Sequence, residues 1–242
     1  MPERAGDRLR RFEALPLADV DALLGQGGVL ILAPHADDES LGCGGLIVEL
    51  CARGRPPIVV VLTDGAGSHP NSRSHPPLRL RAVRQREAHD ATAILGLPPD
   101  RLRFLGLRDT AAPLDGPEFA AAVVTLAGLA RDHGCDVIAA PWRHDPHCDH
   151  VAAQAMACAS GLRVLSYPVW GWTLPADTAL PDAPVEGWRL DITAHLPAKR
   201  RAIAAHASQY GDLIADDPTG FRLPSDLLAV FDRPYEVFLR GA

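Results

Sequence analysis

The chain has 242 residues, enough for one α/β domain with a full hydrophobic core, so a single domain over 1–242 is expected. Its formal charge of −6, from 24 basic and 30 acidic residues, argues against a nucleic-acid binder, which needs a clustered positive field to meet phosphates. No run of about 18 apolar residues occurs and residues 1–11 carry no apolar signal core, so the expectation is a cytoplasmic protein without a membrane span that works on a small molecule.

In chain order, residues 1–27 read as a lead-in helix, followed by short apolar runs at 29–33, 58–62, 102–105, 137–140 and 164–169. Helical spacing fills the gaps between them: 40–53, where Gly42, Gly44 and Gly45 would let the helix approach a sheet closely, then 78–95, stopped by Gly96 and Pro98-Pro99, then 117–133 and 150–159. Further strands are predicted at 188–192 and 235–239 with a helix over 197–210 between them, and 65–77 and 211–226 read as loops. Such alternation is the pattern of a mostly parallel sheet with helices on both faces. The five cysteines (Cys43, Cys51, Cys135, Cys148, Cys158) are odd in number and lack a C-x-x-C pair, so they read as reduced core residues.

Two of the apolar runs end in groups that bind metals. The first runs into His35-Ala36-Asp37-Asp38-Glu39, and the run at 137–140 precedes His144-Asp145-Pro146-His147-Cys148-Asp149-His150. In open α/β sheets ligands bind beyond the carboxyl ends of the strands, which is where both clusters fall. Histidines with carboxylates and an open position are the pattern of a catalytic zinc site, and imidazole suits zinc, iron or nickel better than Mg²⁺.

These residues carry a family resemblance. The strand leading into Pro34-His35-Ala36-Asp37-Asp38-Glu39, the downstream His147-Cys148-Asp149-His150, and Lys199 with His206-Ala207-Ser208-Gln209 resemble the LmbE-like, or PIG-L, zinc-dependent de-N-acetylases. Leu62-Thr63-Asp64-Gly65, Arg84-Gln85-Arg86-Glu87 and Leu107-Arg108-Asp109 follow in the family's order, so the resemblance spans roughly 29–210. It implies a Rossmann-like three-layer sandwich and a hydrolase that removes an N-acetyl or other small acyl group from an amino sugar, a glycoside or a related small molecule. It further implies that His35, Asp38 and His150 bind zinc, Fe(II) or another divalent metal and that Asp37 is the general base. His147 would stabilise the oxyanion or protonate the leaving amine, Asp149 would orient and charge a histidine, and Arg84 and Asp109 would bind sugar hydroxyls. Ala36 stands where the family commonly has proline, and Cys148 occupies a variable position; neither removes a ligand.

Other polar residues have plainer readings. Glu39, in a first helical turn, favours the helix dipole. His144 and Asp145 read as loop residues, and His69, His75, His89, His133 and His195 lack motif partners. His206 reads as core packing or a site neighbour. Trp170 and Trp172, two apart, would share one face of a strand as core or interface packing, while Trp142 is the better candidate for a pocket wall. A homo-oligomer is compatible with this surface. Two other function classes share the residues: a non-haem Fe(II) oxygenase, which also uses two histidines and a carboxylate, and a non-catalytic carbohydrate-binding protein on the same fold. The oxygenase leaves Asp37 without a task.

Overall fold

The computed structural model describes residues 2–241. A two-residue strand β1 (Glu3–Arg4) and helix α1 (Ala5–Glu13) lead to β2 (Leu17–Ala18) and α2 (Val20–Leu24). Strand and helix then alternate through β3 (Gly28–Ala33), α3 (Asp38–Ala52), β4 (Ile58–Thr63), α4 (Pro77–Ile94), β5 (Leu102–Leu107), α5 (Gly116–Asp132), β6 (Cys135–Pro141), α6 (Cys148–Ala159) and β7 (Arg163–Tyr167). The chain continues through β8 (Ala179–Leu180), β9 (Gly187–Asp191), α7 (Leu196–Ala205), α8 (Ala207–Tyr210), α9 (Ser225–Phe231) and β10 (Tyr235–Arg240).

The main sheet has the order β2-β9-β10-β7-β6-β3-β4-β5, with β7-β6-β3-β4-β5 parallel and β10 antiparallel to both of its neighbours. The central strands β3, β4 and β6 bury both faces, which is why they read as apolar runs, whereas β5 at the sheet edge is only half-buried. Val29, Ile31, Val59 and Val61 pack under Leu46 and Ile47 of α3 and Ala88 and Ala91 of α4. Leu30, Leu32, Ile58 and Val60 face the opposite layer, where Leu126 of α5 and Met156 of α6 close a second core. The result is the three-layer, mostly parallel α/β sandwich expected from the alternation. The chain runs outward from β3 to β5, then returns to place β6 on the other side of β3. The carboxyl ends of β3 and β6 therefore flank the point where the winding reverses, the usual ligand position in such sheets.

Helix α3 lies close to the sheet because its glycines leave room. A Cβ on Gly42 would stand 2.2 Å from Cδ2 of Tyr167, and one on Gly45 would stand 2.2 Å from Cγ2 of Ile192. Tyr167 is itself fixed, since its hydroxyl donates to the Leu32 carbonyl at 2.7 Å. From the other side, Glu236 of β10 accepts the N–H groups of Gly45 and Leu46 and pairs with buried Lys199 of α7 at 2.6 Å.

Several expectations change. The lead-in is two helices, not one: Leu17 and Ala18 pair in parallel with β9, and the Asp19 carboxylate then caps α2 by accepting the Ala22 N–H at 2.7 Å. The helix over 197–210 breaks at His206 (φ −78°, ψ 58°), whose ring turns toward Glu39. Helix α9 was not anticipated, because its buried face consists of Leu227 and Phe231, too short a pattern to stand out in sequence. Trp170 and Trp172 lie in a 3-10 turn, Trp170–Thr173, rather than in a strand. All five cysteines are free, but Cys148 and Cys158 are exposed rather than core. No helix among the described residues is long and apolar enough to cross a membrane.

Gly42→Ala tests the close approach of α3. The added methyl meets a ring that cannot move without breaking its bond to Leu32, so a loss of about 1–3 kcal/mol is expected, measured as a lower midpoint in urea denaturation.

Candidate metal centre and active-site cleft

The turn after β3 holds an unusual backbone. Asp37 has φ 149° and ψ −30°, and Thr110 has φ 65°; these are the only non-glycine residues with positive φ among those described. Both line one cleft. Such conformations cost about 1–3 kcal/mol each and persist where the surroundings enforce them. At Asp37 the enforcement is visible: its N–H donates to Glu39 Oε2 at 3.0 Å, and its carbonyl accepts the Leu41 N–H at 2.9 Å to open α3. Glu39 is completely buried, and its other oxygen meets Ser40 Oγ at 2.8 Å and His206 Nε2 at 3.0 Å. Burial disfavours a charged His206, but Glu39 outweighs it and raises the imidazole pKa. Glu39 thus holds the turn in shape and does more than favour a helix dipole.

Asp38 folds back over the same turn. Its Oδ2 accepts the His35 N–H at 2.9 Å and stands 3.2 Å from both His35 Nδ1 and His150 Nε2. His150 comes from the first turn of α6, beyond β6, and its Nδ1 lies 2.8 Å from Asp145 Oδ2. Asp145 is buried and also accepts the N–H groups of Val169, Trp170 and Gly171, so it is no plain loop residue: it orients His150 and anchors the chain after β7. Its position five residues before His150 gave no signal, because the connection runs through a loop. Burial opposes charge on all three groups at this point, yet their partners outweigh it: Asp109, Asp149 and Asp38 for His35, Asp38 and Asp145 for His150, and the two imidazoles for Asp38. Asp38 is held well below the usual carboxylate range, His35 is raised well above the usual imidazole value, and His150 is raised to about 9.

The donor set fits a divalent transition metal. His150 Nε2 is buried without a hydrogen-bond partner, although Asp38 lies close. Two ligands of a tetrahedral zinc ion, each at 2.0–2.1 Å, stand roughly 3.3 Å apart, close to the 3.2 Å separations around Asp38 Oδ2. Among the described residues, the sets of three whose donor atoms all converge within 4.8 Å of one another are His35/His147/His150, His35/Asp109/Asp149 and His147/Cys148/Asp149; they share His35 and His150 with the expected triad but not Asp38.

The remaining candidates surround this centre. Asp149 Oδ2 lies 3.0 Å from His35 Nε2 and accepts the Thr110 N–H at 2.8 Å, while its Oδ1 accepts the Ala112 N–H at 3.0 Å; Asp109 Oδ1 lies 3.3 Å from the same His35 nitrogen. Two carboxylates thus back the ring nitrogen of His35 that faces away from Asp38, an arrangement that sets ring orientation and raises ligand basicity. His147 caps α6, its Nδ1 accepting the Asp149 N–H at 3.2 Å. A neutral His147 therefore carries its proton on Nε2. Burial and the neighbouring His35 push its pKa down, which favours that neutral form.

Arg84, reached from α4, is buried; it donates to the Ala36 carbonyl at 2.9 Å and lies 3.4 Å from Asp37 Oδ2. Burial lifts the Asp37 carboxyl to about 6, with Arg84 opposing and Asp38 adding to the rise. Arg84, which the resemblance places against sugar hydroxyls, is thus the buried cation beside Asp37.

The cleft over these groups encloses about 390 Å³. Its side chains follow the strand order: Trp170 beyond β7, His147 beyond β6, His35, Asp37 and Asp38 beyond β3, Gly67 and Ser68 beyond β4, Asp109 and Thr110 beyond β5. Two loops close one side, supplying Ser68 and Pro70 from 65–77 and Thr219, Phe221 and Leu223 from 211–226. They are tied together: Asp216 accepts N–H groups of Arg73 and Ser74, and Phe221 N–H donates to the Ser68 carbonyl at 2.7 Å. Trp170, not Trp142, is the aromatic wall. Trp142 packs edge-on against Phe12 and His144 in a separate cleft, because the chain after β6 carries it toward α1. Residues 181–186 border that second cleft and not the first. His69, His75, His89, His133 and His195 do not line the cleft; His195, for example, pairs with Glu49 at 2.6 Å.

Comparison with known proteins follows the same residues. The family model described as PIG-L: GlcNAc-PI de-N-acetylase matches residues 30–160, more than half of the chain. The probable N-acetyl-alpha-D-glucosaminyl L-malate deacetylase 2 of Bacillus anthracis is 26% identical over 197 residues, covering 78% of this chain and 84% of that protein. Among solved structures, the N,N'-diacetylchitobiose deacetylase of Pyrococcus horikoshii aligns with a TM-score of 0.62 at 23% identity, over 88% of this chain and 82% of its own. The 4-carboxy-2-hydroxymuconate hydratase of Pseudomonas putida KT2440 aligns with a TM-score of 0.61 at 21% identity, over 76% and 80%. At these identities the structures show a shared fold, and a fold that hosts both a deacetylase and a hydratase leaves the reaction to be argued from the site.

Asp145→Asn tests the support behind His150. Substitution of such a partner typically lowers metal affinity about 10–100-fold, so zinc affinity in competition with a chelating dye is expected to fall by that order while circular dichroism stays unchanged.

Proposed function

The chain belongs to the PIG-L family, and on that premise we propose that it hydrolyses the amide of an N-acylated amino sugar or related glycoside. The observation that carries this reading is the junction of β3 and β6: two imidazole nitrogens share one Asp38 oxygen, and a second carboxylate, Asp37, stands beside them with a pKa lifted to about 6. His35, Asp38 and His150 would hold a divalent ion, zinc by preference of the nitrogen-rich set, which when bound supplies Lewis acidity that polarises an amide carbonyl and eases deprotonation of water.

The chain's own residues supply the rest. Asp37 takes a proton from the attacking water as the new carbon–oxygen bond forms. A carboxyl near pKa 6 is ionised at neutral pH yet basic enough to accept that proton. Arg84 holds the carboxylate in place and keeps it from rising further. His147, with its proton on Nε2, donates a hydrogen bond to the developing oxyanion, the kind of directed dipole that stabilises acyl-transfer transition states. When the carbon–nitrogen bond breaks, Asp37 passes its proton to the departing nitrogen. The products are a carboxylic acid and an amine, and the acid then gives up its remaining water proton, so that they leave as carboxylate and ammonium at neutral pH. Asp109, whose Oδ2 accepts the Gly67 N–H and whose Oδ1 faces His35, lines the β4–β5 end of the cleft with Ser68, and the lone pairs those contacts leave over are the polar partners for sugar hydroxyls.

The test is release of free amine from N-acetylglucosaminides by zinc-reconstituted protein. Asp37→Asn is expected to lower kcat by about 10²–10⁴-fold at unchanged metal content; full activity in that variant would remove Asp37 as the base. Stripping the protein with a chelator is expected to abolish turnover, and adding zinc or Fe(II) to restore it. Turnover unaffected by chelation would overturn the metal assignment.

A further inference from the structure

We propose that the β7 end of the cleft is an apolar acyl subsite, so that the enzyme prefers N-acyl chains longer than acetyl; this rests on the hydrolase reading above. Strand order fixes the direction. With the scissile amide over the β3–β6 junction, one arm of the substrate points toward Arg84 and Asp109 at the β4–β5 side, and the other points toward Trp170 beyond β7. The hydroxyl-rich sugar is matched by the polar end, which leaves the acyl group for the other.

The aromatic wall on that side is Trp170, which meets the Phe221 ring edge-on, with ring centroids 5.4 Å apart and an interplanar angle of 69°. Buried Leu41 and Leu223 add apolar surface to the same cleft, and Gln209 is the polar residue beside Leu223. An acetyl methyl has no need of an aromatic pair. The wall is also rigid, because the Trp170 N–H donates at 3.1 Å to the same Asp145 oxygen that orients His150. The acyl wall and the metal-binding histidine therefore hang on one carboxylate. Among the described residues lining the cleft, Arg84 is the only arginine or lysine, and it is engaged with Asp37 and backbone carbonyls. A carboxylate at the end of the acyl chain would find no cation there and would lose its hydration.

The experiment compares N-acetyl-, N-butanoyl-, N-hexanoyl- and N-succinylglucosamine, with the octyl glycoside of N-acetylglucosamine, as substrates of the zinc-reconstituted protein. A methylene buried in such a pocket is worth roughly fourfold. With partial burial of the chain, kcat/KM is expected to rise about tenfold or more from acetyl to hexanoyl, and the succinyl compound to fall below acetyl. Phe221→Ala and Trp170→Ala are expected to reduce the hexanoyl-to-acetyl ratio to within about twofold of unity. Because the ratio is taken within each variant, it does not depend on how much of the protein folds. Acetyl cleaved as fast as hexanoyl by the unaltered protein would overturn the acyl subsite and leave the hydrolase reading standing. So would a gain from the octyl aglycone in place of the longer acyl chain. Cleavage of none of the compounds would remove the hydrolase reading and this inference with it.

Discussion

The site depends on β3 and β6 being hydrogen-bonded neighbours. Their register, with Val29 opposite Val137 and Ile31 opposite Ala139, brings two turns more than a hundred residues apart in sequence to the same height above the sheet. The turn after β3 delivers His35, Asp37 and Asp38; the loop after β6 delivers Asp145, His147, Asp149 and His150. Parallel strands demand a crossover between each pair, and the return crossover places β6 beside β3 rather than beyond β5. Without that reversal the two clusters would lie at different edges of the sheet.

Bringing so many ionisable groups into a buried cleft is costly unless each finds a partner, since an unpaired buried charge loses its hydration with no return. Here the pairing is nearly complete. Asp38 lies between His35 and His150, Asp109 and Asp149 back the far side of His35, Asp145 backs His150, Glu39 faces His206, and Arg84 faces Asp37. Among these described groups His150 Nε2, Arg84 Nε and His206 Nδ1 are buried without a hydrogen bond, and Asp37 is the carboxylate that burial lifts toward neutrality. The pairing also stiffens the frame: the strained backbone at Asp37 and at Thr110 is tied down by Glu39 and by Asp149 respectively.

Much of this was legible in the residues. Strands buried on both faces must be apolar throughout, so β3, β4 and β6 stand out as runs, and the glycine group in α3 signals a close approach that Tyr167 and Ile192 explain. The chemistry-bearing residues were legible for a related reason: neither His-x-x-Asp nor His-x-Asp-His is explained by packing, and both fall at strand ends. Residues whose task is defined by a distant partner left no such trace. Asp145 and Glu39 act on His150, Asp37 and His206 through space, and in sequence they resemble a loop acid and a helix-dipole acid. The tryptophans show the same limit. Trp142 is closer to the second cluster in sequence, but the chain leaves the strand end toward α1, and the wall falls to Trp170 because Asp145 draws its backbone over the site.

The sequence by itself determined the α/β class, the layer order and the set of residues able to bind a metal or move a proton, because burial and side-chain chemistry are local properties that leave local patterns. The tertiary structure alone decided which of those residues meet and in which order they line the cleft. It also decided which carboxylate is left nearest neutrality. Those are properties of distance and dielectric, set by sheet order and by the loops that cover the site, and no run of residues encodes them singly.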